Sequence, residues 1–126
     1  MTDKTAIVLF SDPASGTEEA AGRAFNALVL AGSLKERGAD VVLILQGTGV
    51  RWASELVKPD HPFHGAFKAV EDKLLGACAA CANAFGAKDA VEAAGIPLVA
   101  QKEIPGTAGV VDLSQYIADG YRLVLF

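Results

Sequence analysis

The sequence predicts an α/β fold in which a mostly parallel sheet of five strands lies between layers of helices. Short apolar runs rich in β-forming residues alternate with helical segments along all 126 residues. The clearest of these runs are continuously apolar, which is typical of strands in a parallel sheet because both of their faces are covered. The alternation of strands and helices favours parallel pairing, since each helix carries the chain back to the end of the sheet where the next strand begins.

Two strands and a long helix open the chain. Ala6 to Phe10 and Val41 to Leu45 are the two clearest apolar runs, and both are predicted to be strands. A helix is expected between them, from Gly16 to Arg37. Ser15 stands three residues before Glu18, which is the spacing of a capping box at a helix start.

One face of this long helix is expected to pack on the sheet. Its apolar residues recur at helical spacing, at Ala21, Phe25, Leu28 and Ala31. Gly38 is placed to end the helix, because glycine readily adopts the left-handed backbone of a helix end.

The middle of the chain predicts shorter elements. A turn at Gln46 to Gly49 is followed by a short helix from Val50 to Val57, and the two prolines in Lys58 to Pro62 interrupt the chain. A helical stretch is expected from Ala66 to Leu75, and the third strand near Leu74 to Ala77. This strand has the weakest pattern, because alanine and glycine are poor strand formers.

The last third of the chain completes the alternation. Short helices are expected at Ala79 to Ala84 and Lys88 to Ala94, and a fourth strand at Ile96 to Ala100. A final helix at Asp112 to Asp119 and a closing strand at Tyr121 to Leu125 follow. Asp112 is the expected cap of that last helix.

Composition favours a single domain over residues 1–126 and argues against nucleic acid as a partner. A chain of this length buries roughly two-thirds of the surface that it exposes when unfolded, so it folds without disulfides or a structural metal. Apolar residues make up 52% and charged residues 21%, with a net charge of -4. The lysines and arginines are scattered, whereas a nucleic-acid binder usually has a basic stripe.

The chain also lacks the pattern of an export signal or a membrane span. The first apolar run, Ala6 to Phe10, has five residues, whereas a secretory signal needs roughly 7–15 apolar residues and a membrane span roughly 20. We therefore expect a cytoplasmic protein, in which the two cysteines rest as thiols.

Any functional site is expected at the carboxyl ends of the strands, where ligands of open parallel sheets bind. Four segments should meet there: Ser11 to Thr17, Gln46 to Trp52, Ala77 to Cys81, and Gln101 to Gly109.

Cys78 and Cys81 carry the strongest chemical signal. Cys78 is expected at a strand-to-helix junction, where unpaired N–H groups and the helix dipole favour thiolate over thiol. Thiolate attacks disulfides, persulfides and electrophiles. Cys81 lies one helical turn further on and could resolve an oxidised or persulfidated Cys78. The alternative is a pair of cysteines that only fill space in the core.

A candidate ligand-binding rim surrounds the cysteines. It consists of Ser11, Gly47, Gly49, Arg51 and Trp52. Arg51 could pair with an anionic ligand or with a partner's acid, or it could be a solvated surface charge. Trp52 is more typical of packing or of an interface anchor.

Other chemistries fit the sequence poorly. His61 and His64 are the only further soft metal ligands, so neither a metal site nor a cofactor is expected. The segment Asp12 to Thr17 lacks the phosphate-loop pattern, and Gly47 to Gly49 lacks the third glycine of a dinucleotide site. Ser11, Cys78 and His64 could be drawn as a hydrolase set, but no G-x-S-x-G elbow is present.

The order of these features resembles the DsrE/DsrF-like sulfur-relay family. That order is strand, long helix, strand, G-x-G-V turn and intervening helix, then Cys78 followed by Cys81 and, eight residues on, by Gly86. The matching stretches follow nearly the whole chain: Thr5 to Phe10, Ala20 to Gly38, Val41 to Val50, Cys78 to Gly86, and Tyr121 to Phe126.

The resemblance implies a flavodoxin-like three-layer fold and a homo-oligomer, a trimer or a hexamer. It also implies a sulfur carrier, and so a possible sulfurtransferase, in which Cys78 takes sulfur from a persulfide donor protein and hands it to an acceptor protein. Cys81 matches a position that is cysteine in some members. Many members have a basic residue just before the glycine, whereas this chain has Phe85.

Two alternatives to a sulfur carrier stay open, and the difference at Phe85 favours the first of them. One is a non-catalytic oligomeric protein of the same fold that binds a small ligand at the rim. The other is a dithiol redox protein that uses Cys78 and Cys81.

Overall fold

The computed structural model describes residues 3–126 and contains a five-stranded sheet in which every pairing is parallel. The strands lie in the order β4-β3-β2-β1-β5. Their bounds are β1 Lys4–Leu9, β2 Asp40–Leu45, β3 Leu74–Cys78, β4 Leu98–Val99 and β5 Arg122–Leu125. The predicted α/β class, with a flavodoxin-like three-layer arrangement, is confirmed.

Six α-helices and three short 3-10 turns connect the strands within the described residues. The helices are α1 Glu18–Glu36, α2 Trp52–Leu56, α3 His64–Val70, α4 Ala79–Ala84, α5 Lys88–Ala93 and α6 Leu113–Ala118. The 3-10 turns are Pro13–Ser15, Gly47–Arg51 and Glu71–Lys73. Within residues 3–126, none of the helices combines the length and apolar character that a membrane crossing requires.

The strand order assigns the helices to two faces of the sheet. Successive crossovers from β1 to β4 run in one direction, so right-handed connections put α1 to α5 on one face. The connection from β4 to β5 runs the opposite way and puts α6 on the other face. Lys4 Nζ donates to the carbonyl oxygen of Asp119, directly after α6, at 3.3 Å. α6 is therefore the only α-helix of the described chain on its face.

The long helix begins two residues later than predicted because a different residue caps it. The Thr17 side chain accepts a hydrogen bond from Ala20 N at 3.1 Å, whereas Ser15 belongs to a 3-10 turn and donates to Asp12 O. The predicted cap at Ser15 is therefore wrong. Gly38 follows the helix with a φ of 74° and ends it as predicted.

The buried face of α1 differs from the predicted one. The residues that pack on the sheet are Ala20, Ala24, Ala27, Leu28 and Ala31. Phe25, expected among them, is 42% exposed and lies 5.3 Å from the ring of Phe63. The stripe of alanines lets the helix approach the sheet closely, and a phenylalanine on that face would hold the two apart.

The third and fourth strands are packed more closely than their sequences suggest. β3 extends one residue further than predicted, to Cys78, and β4 is limited to Leu98–Val99. Gly76 has a φ of 146°, and a Cβ there would collide with Pro97 O. The glycine that weakened the strand prediction is therefore what allows the chain before β4 to lie against β3. In a separate difference from the prediction, helix α3 ends at Val70 and not at Leu75.

Candidate functional site

The four segments predicted to meet at the carboxyl ends of the strands do meet there. Trp52 Nε1 donates to Ser11 O at 2.9 Å, which joins the segments that follow β1 and β2. Ala80 N donates to Gly109 O at 2.8 Å, which joins α4 to the segment that follows β4. The edge is therefore held together by hydrogen bonds between segments that are distant in sequence.

Cys78 lies at the junction that the sequence predicts, but it is completely buried. It is the last residue of β3 and the residue before α4, and none of its surface is exposed. The Ala80 amide, which an open helix start would leave free, is already bonded to Gly109 O. The start of α4 therefore offers the sulfur fewer free N–H groups than an isolated helix would.

Cys81 lies beside Cys78 and is partly exposed. Burial raises the pKa of the Cys81 thiol to about 11, and the neighbouring Cys78 thiol acts in the same direction. The backbone amide of Gly47 lies near the Cys81 sulfur and opposes this shift. Cys81 is therefore a neutral thiol at physiological pH, and the loop after β2 touches the dithiol directly.

The two rim glycines shape that loop. Gly47 has a φ of 58°, and a Cβ there would lie 2.9 Å from Phe10 Cδ1. Gly49 is buried, and a Cβ there would collide with Leu9 O. Both positions therefore allow the 3-10 turn Gly47–Arg51 to lie on the end of β1, which brings Gly47 to the sulfur of Cys81.

Arg51 spans the rim as an ion-paired side chain. Its Nη1 lies 2.8 Å from Asp12 Oδ2, and its Nη2 donates to Phe85 O at 3.2 Å. The guanidinium also lies over the Phe85 ring, 5.8 Å from its centre. A cation from the β2 loop thus stands next to Phe85.

Trp52 and Ser11 support the rim from inside. Trp52 is 3% exposed, and its ring lies 6.1 Å from His61 and 6.2 Å from Phe63. Ser11 Oγ donates to Ala20 O, at the start of α1. Both side chains are used for packing and for backbone contacts.

Both histidines bond to backbone groups of the chain through Nδ1. His61 Nδ1 accepts from Phe63 N at 3.0 Å, and His64 Nδ1 lies 2.7 Å from Leu56 O. Across residues 3–126, no three histidine, cysteine or acidic side chains are grouped so that they could hold a metal ion.

A groove opens in the segment that follows β4. It has a volume of about 510 Å³ and is formed by the segment after β4, with Ile104, Pro105 and Gly109 among its lining residues. Gly109 also binds the start of α4 through its carbonyl oxygen. The groove is therefore joined to the start of α4 by a backbone hydrogen bond.

Gln46 was predicted as part of a turn and of the segment Gln46 to Trp52 at the carboxyl edge, but it was not singled out as a site residue. It follows β2 directly, and its Oε1 is buried without a hydrogen-bond partner among the described residues. A polar residue directly after an apolar strand, at the end where ligands bind, is the sequence signal that could have singled it out.

These features define a parallel α/β protein with a dithiol at the carboxyl edge of its sheet. The model of the DsrE/DsrF-like family matches residues 4–126, and the chain belongs to that family. It is also similar to the uncharacterized protein MJ0733 of Methanocaldococcus jannaschii, with 34% identity over 97 residues that cover 77% of this chain and 74% of that protein. No solved structure gives a significant match.

Proposed function

We propose that the protein is a sulfur carrier that holds persulfide sulfur on Cys78. The observation that supports this most strongly is the position of Cys78 in a DsrE/DsrF-like chain, at the junction of β3 and α4 with Cys81 beside it. The donor and the acceptor are proposed to be other proteins that carry reactive thiols.

The proposed transfer needs no net oxidation. The Cys78 thiolate attacks the outer sulfur of a donor persulfide, R–S–SH. The donor S–S bond breaks, the donor leaves as the thiolate R–S⁻, and Cys78–S–SH forms and releases its proton to solvent. An acceptor thiolate then attacks that outer sulfur, becomes the persulfide, and regenerates the Cys78 thiolate.

The neutral state of Cys81 suits a carrier. Attack of Cys81 on the inner sulfur of Cys78 would form the Cys78–Cys81 disulfide and release HS⁻, and an external dithiol would then have to reduce the pair. Because its pKa is raised to about 11, Cys81 is almost entirely protonated at neutral pH. That slows this side reaction and leaves time for transfer to an acceptor.

Arg51 supports recognition of an anionic donor or acceptor. It is a partly exposed cation on the rim, and Asp12 neutralises only one end of its guanidinium. The positive charge lies next to Phe85, so the lack of a basic residue at that position does not remove the cation from this edge.

Access to Cys78 requires a local opening. The sulfur is buried, and the Ala80–Gly109 hydrogen bond fastens the segment after β4 to the start of α4. We propose that this segment moves when a donor or acceptor docks. Loops with few buried contacts open at low free energy, which suits them to this role.

Mass spectrometry after incubation with inorganic polysulfide tests the proposal. The native chain should gain the mass of one sulfur atom on Cys78, and Cys78→Ser should gain none there. Cys81→Ser, the matched control, should still load at Cys78. If the native chain gains no sulfur under conditions that load a known carrier, the proposal is wrong.

We further propose that the protein works in the cytoplasm as a trimer or hexamer. The proposed transfer needs both cysteines as thiols, and a reducing compartment such as the cytoplasm keeps them in that form. Ile117 and Leu125 are apolar side chains that remain 59% and 58% exposed in the isolated chain, which supports burial against further copies.

A dithiol redox protein is the second candidate, because the two sulfurs lie next to each other. Its distinguishing property is a reversible Cys78–Cys81 disulfide. A dithiol redox protein should form this disulfide in a glutathione redox buffer. A pair that stays reduced in oxidising buffer excludes this candidate and leaves the carrier.

A further inference from the structure

Gln46 has a buried carboxamide oxygen that no group in the described chain satisfies. An unpaired buried acceptor destabilises a folded protein, and most buried polar atoms do have a partner. The other glutamine at this edge shows the usual pattern: Gln101 Nε2 donates to Tyr116 Oη, and its Oε1 accepts from Asp112 N. Gln46 is therefore the amide whose bonding remains incomplete.

The sheet register puts Gln46 next to Cys78. Leu45 of β2 pairs with Ala77 of β3 in parallel register, and Gln46 and Cys78 each follow by one residue. Gln46 continues the extended backbone, with φ -141° and ψ 159°. Side chains alternate along a strand and neighbouring strands lie about 4.8 Å apart, so Gln46 and Cys78 lie side by side on the same face of the sheet.

Contacts of the next residue agree with this position. The Gly47 amide lies close enough to the Cys81 sulfur to lower its pKa. The 3-10 turn that begins at Gly47 packs on α4, so the segment that follows Gln46 lies against the dithiol. In the unloaded chain Oε1 of Gln46 accepts no hydrogen bond from either cysteine among the described residues. A persulfide adds a second sulfur at about 2.05 Å from the first, and that atom reaches further from β3 than the thiol does.

We propose that Gln46 binds the outer sulfur of the Cys78 persulfide. A half-turn of the carboxamide exchanges Oε1 and Nε2, so the amide can present an N–H to this position. The outer sulfur is an anion once its proton has gone to solvent, and an N–H donated to an anion forms a charge-assisted hydrogen bond. The inference rests on the proposed sulfur-carrier function and assigns Gln46 as the group that binds the transferred sulfur atom.

The test compares the lifetime of the persulfide in the native chain, Gln46→Met and Gln46→Glu, each loaded with inorganic polysulfide. In the loading step, the polysulfide ion gives its terminal sulfur to the Cys78 thiolate. It leaves as a polysulfide ion with one sulfur atom fewer and the same charge. Gln46→Met keeps the length of the side chain and removes the donor. It should shorten the half-life of Cys78–S–S⁻, in a fixed concentration of a small thiol, by about tenfold, the usual effect of losing a hydrogen bond to a charged group.

Two further measurements separate binding from a structural role. Gln46→Met should unfold at the same urea concentration as the native chain or a higher one, because it removes an unpaired acceptor. Gln101→Met makes the same change at an amide whose oxygen and nitrogen are both bonded, so it should unfold at a lower urea concentration than the native chain. Gln46→Glu keeps the shape and adds a negative charge, so it should shorten the persulfide lifetime more than Gln46→Met, and it decides the question if Gln46→Met does not fold.

The outcomes are distinguishable. If the native chain loads and both Gln46 variants keep its persulfide lifetime, the role of Gln46 is wrong and the carrier function stands. If the native chain takes up no sulfur, the carrier function fails and this inference fails with it.

Discussion

Cys78 and Cys81 differ in their surroundings although they are three residues apart. Cys78 is enclosed by β3 and the start of α4, whereas Cys81 reaches the surface beside Gly47. The proposed carrier role depends on this difference. Cys78 receives the transferred sulfur atom, whereas Cys81 stays a neutral thiol and does not displace that atom.

Alkylation of Cys81 should therefore require alkaline pH. Iodoacetamide reacts with thiolate, so the rate at Cys81 should be half-maximal near pH 11, the raised pKa. In Cys78→Ala one cause of the shift is gone, and the midpoint should move to lower pH. Tandem mass spectrometry of the peptide that contains both cysteines measures each site. Half-maximal reaction of Cys81 below pH 9 in the native chain would contradict this description.

The same shift fixes the sign of a pH effect on stability. The folded chain holds the Cys81 proton more tightly than the unfolded chain, whose thiol has its ordinary pKa of 9.0. The stability that Cys81 contributes is therefore fully present below pH 9 and is lost as the pH rises towards 11. Cys81→Ser should show a smaller loss over that range in urea unfolding.

At the scale of elements, the turn after β2 depends on the absence of a side chain at Gly49. A Cβ at this buried position meets the backbone of Leu9, which cannot yield without moving β1. Gly49→Ala should lower the free energy of unfolding by about 2 kcal/mol or more, in the range of other overpacked sites. Gly22→Ala, in the middle of α1 with open space around it, should instead raise it by up to about 1 kcal/mol. Equal effects of the two changes in urea unfolding would contradict the packing described.

The segment after β4 is expected to control access to Cys78. Gly109 has a φ of 93°, and a Cβ there would lie 2.8 Å from Ala100 Cβ, so Gly109→Ala should loosen this segment. Gly106 has a similar φ of 82° and nothing within 4 Å, which makes Gly106→Ala the matched control. Alkylation of Cys78 should speed up by about tenfold in Gly109→Ala, the effect of roughly 1–2 kcal/mol of overpacking against Ala100. It should speed up clearly less in Gly106→Ala, which shares the positive φ but not this contact. A rate unchanged from native in Gly109→Ala would exclude this segment as the cover.

The elements that were predicted best are those in which one physical signal dominates. β1 and β2 were found because each is a continuous apolar run in the centre of the sheet, and α1 because it is long and ends at Gly38. The errors lie where tertiary contacts decide. The exposure of Phe25 follows from the close approach of α1 to the sheet, and the cap at Thr17 follows from the preceding 3-10 turn.

The site could be predicted in position but not in detail. Parallel topology places Cys78 at the carboxyl edge from sequence alone. The burial of Cys78, the raised pKa of Cys81 and the Asp12–Arg51 ion pair depend on which side chains approach across the edge. Those approaches are set by the register of strands that are far apart in sequence.

At the scale of the whole molecule, the two faces of the sheet are covered unequally. α6, a helix of six residues, is the only described α-helix on its face, and Ile117 on this helix and Leu125 on β5 remain largely exposed. A chain of 13.0 kDa that leaves such side chains uncovered has apolar surface available for association.

Light scattering should therefore give three or six times the mass of one chain at micromolar concentration. Ile117→Glu should reduce that mass, because it buries a charge in the proposed interface. Val29→Glu, on the opposite face of the sheet, is the control and should leave the mass unchanged. A native chain that is monomeric by light scattering would contradict the proposed assembly.

The central claim is that sulfur enters and leaves Cys78 by exchange, with no net oxidation of the protein. Isotopically labelled sulfur loaded on Cys78 and then presented to an acceptor thiol tests this claim most directly. The account predicts that the label appears on the acceptor as a persulfide and that the protein returns with both cysteines as free thiols. Release of the label as hydrogen sulfide, with accumulation of the Cys78–Cys81 disulfide, would contradict it.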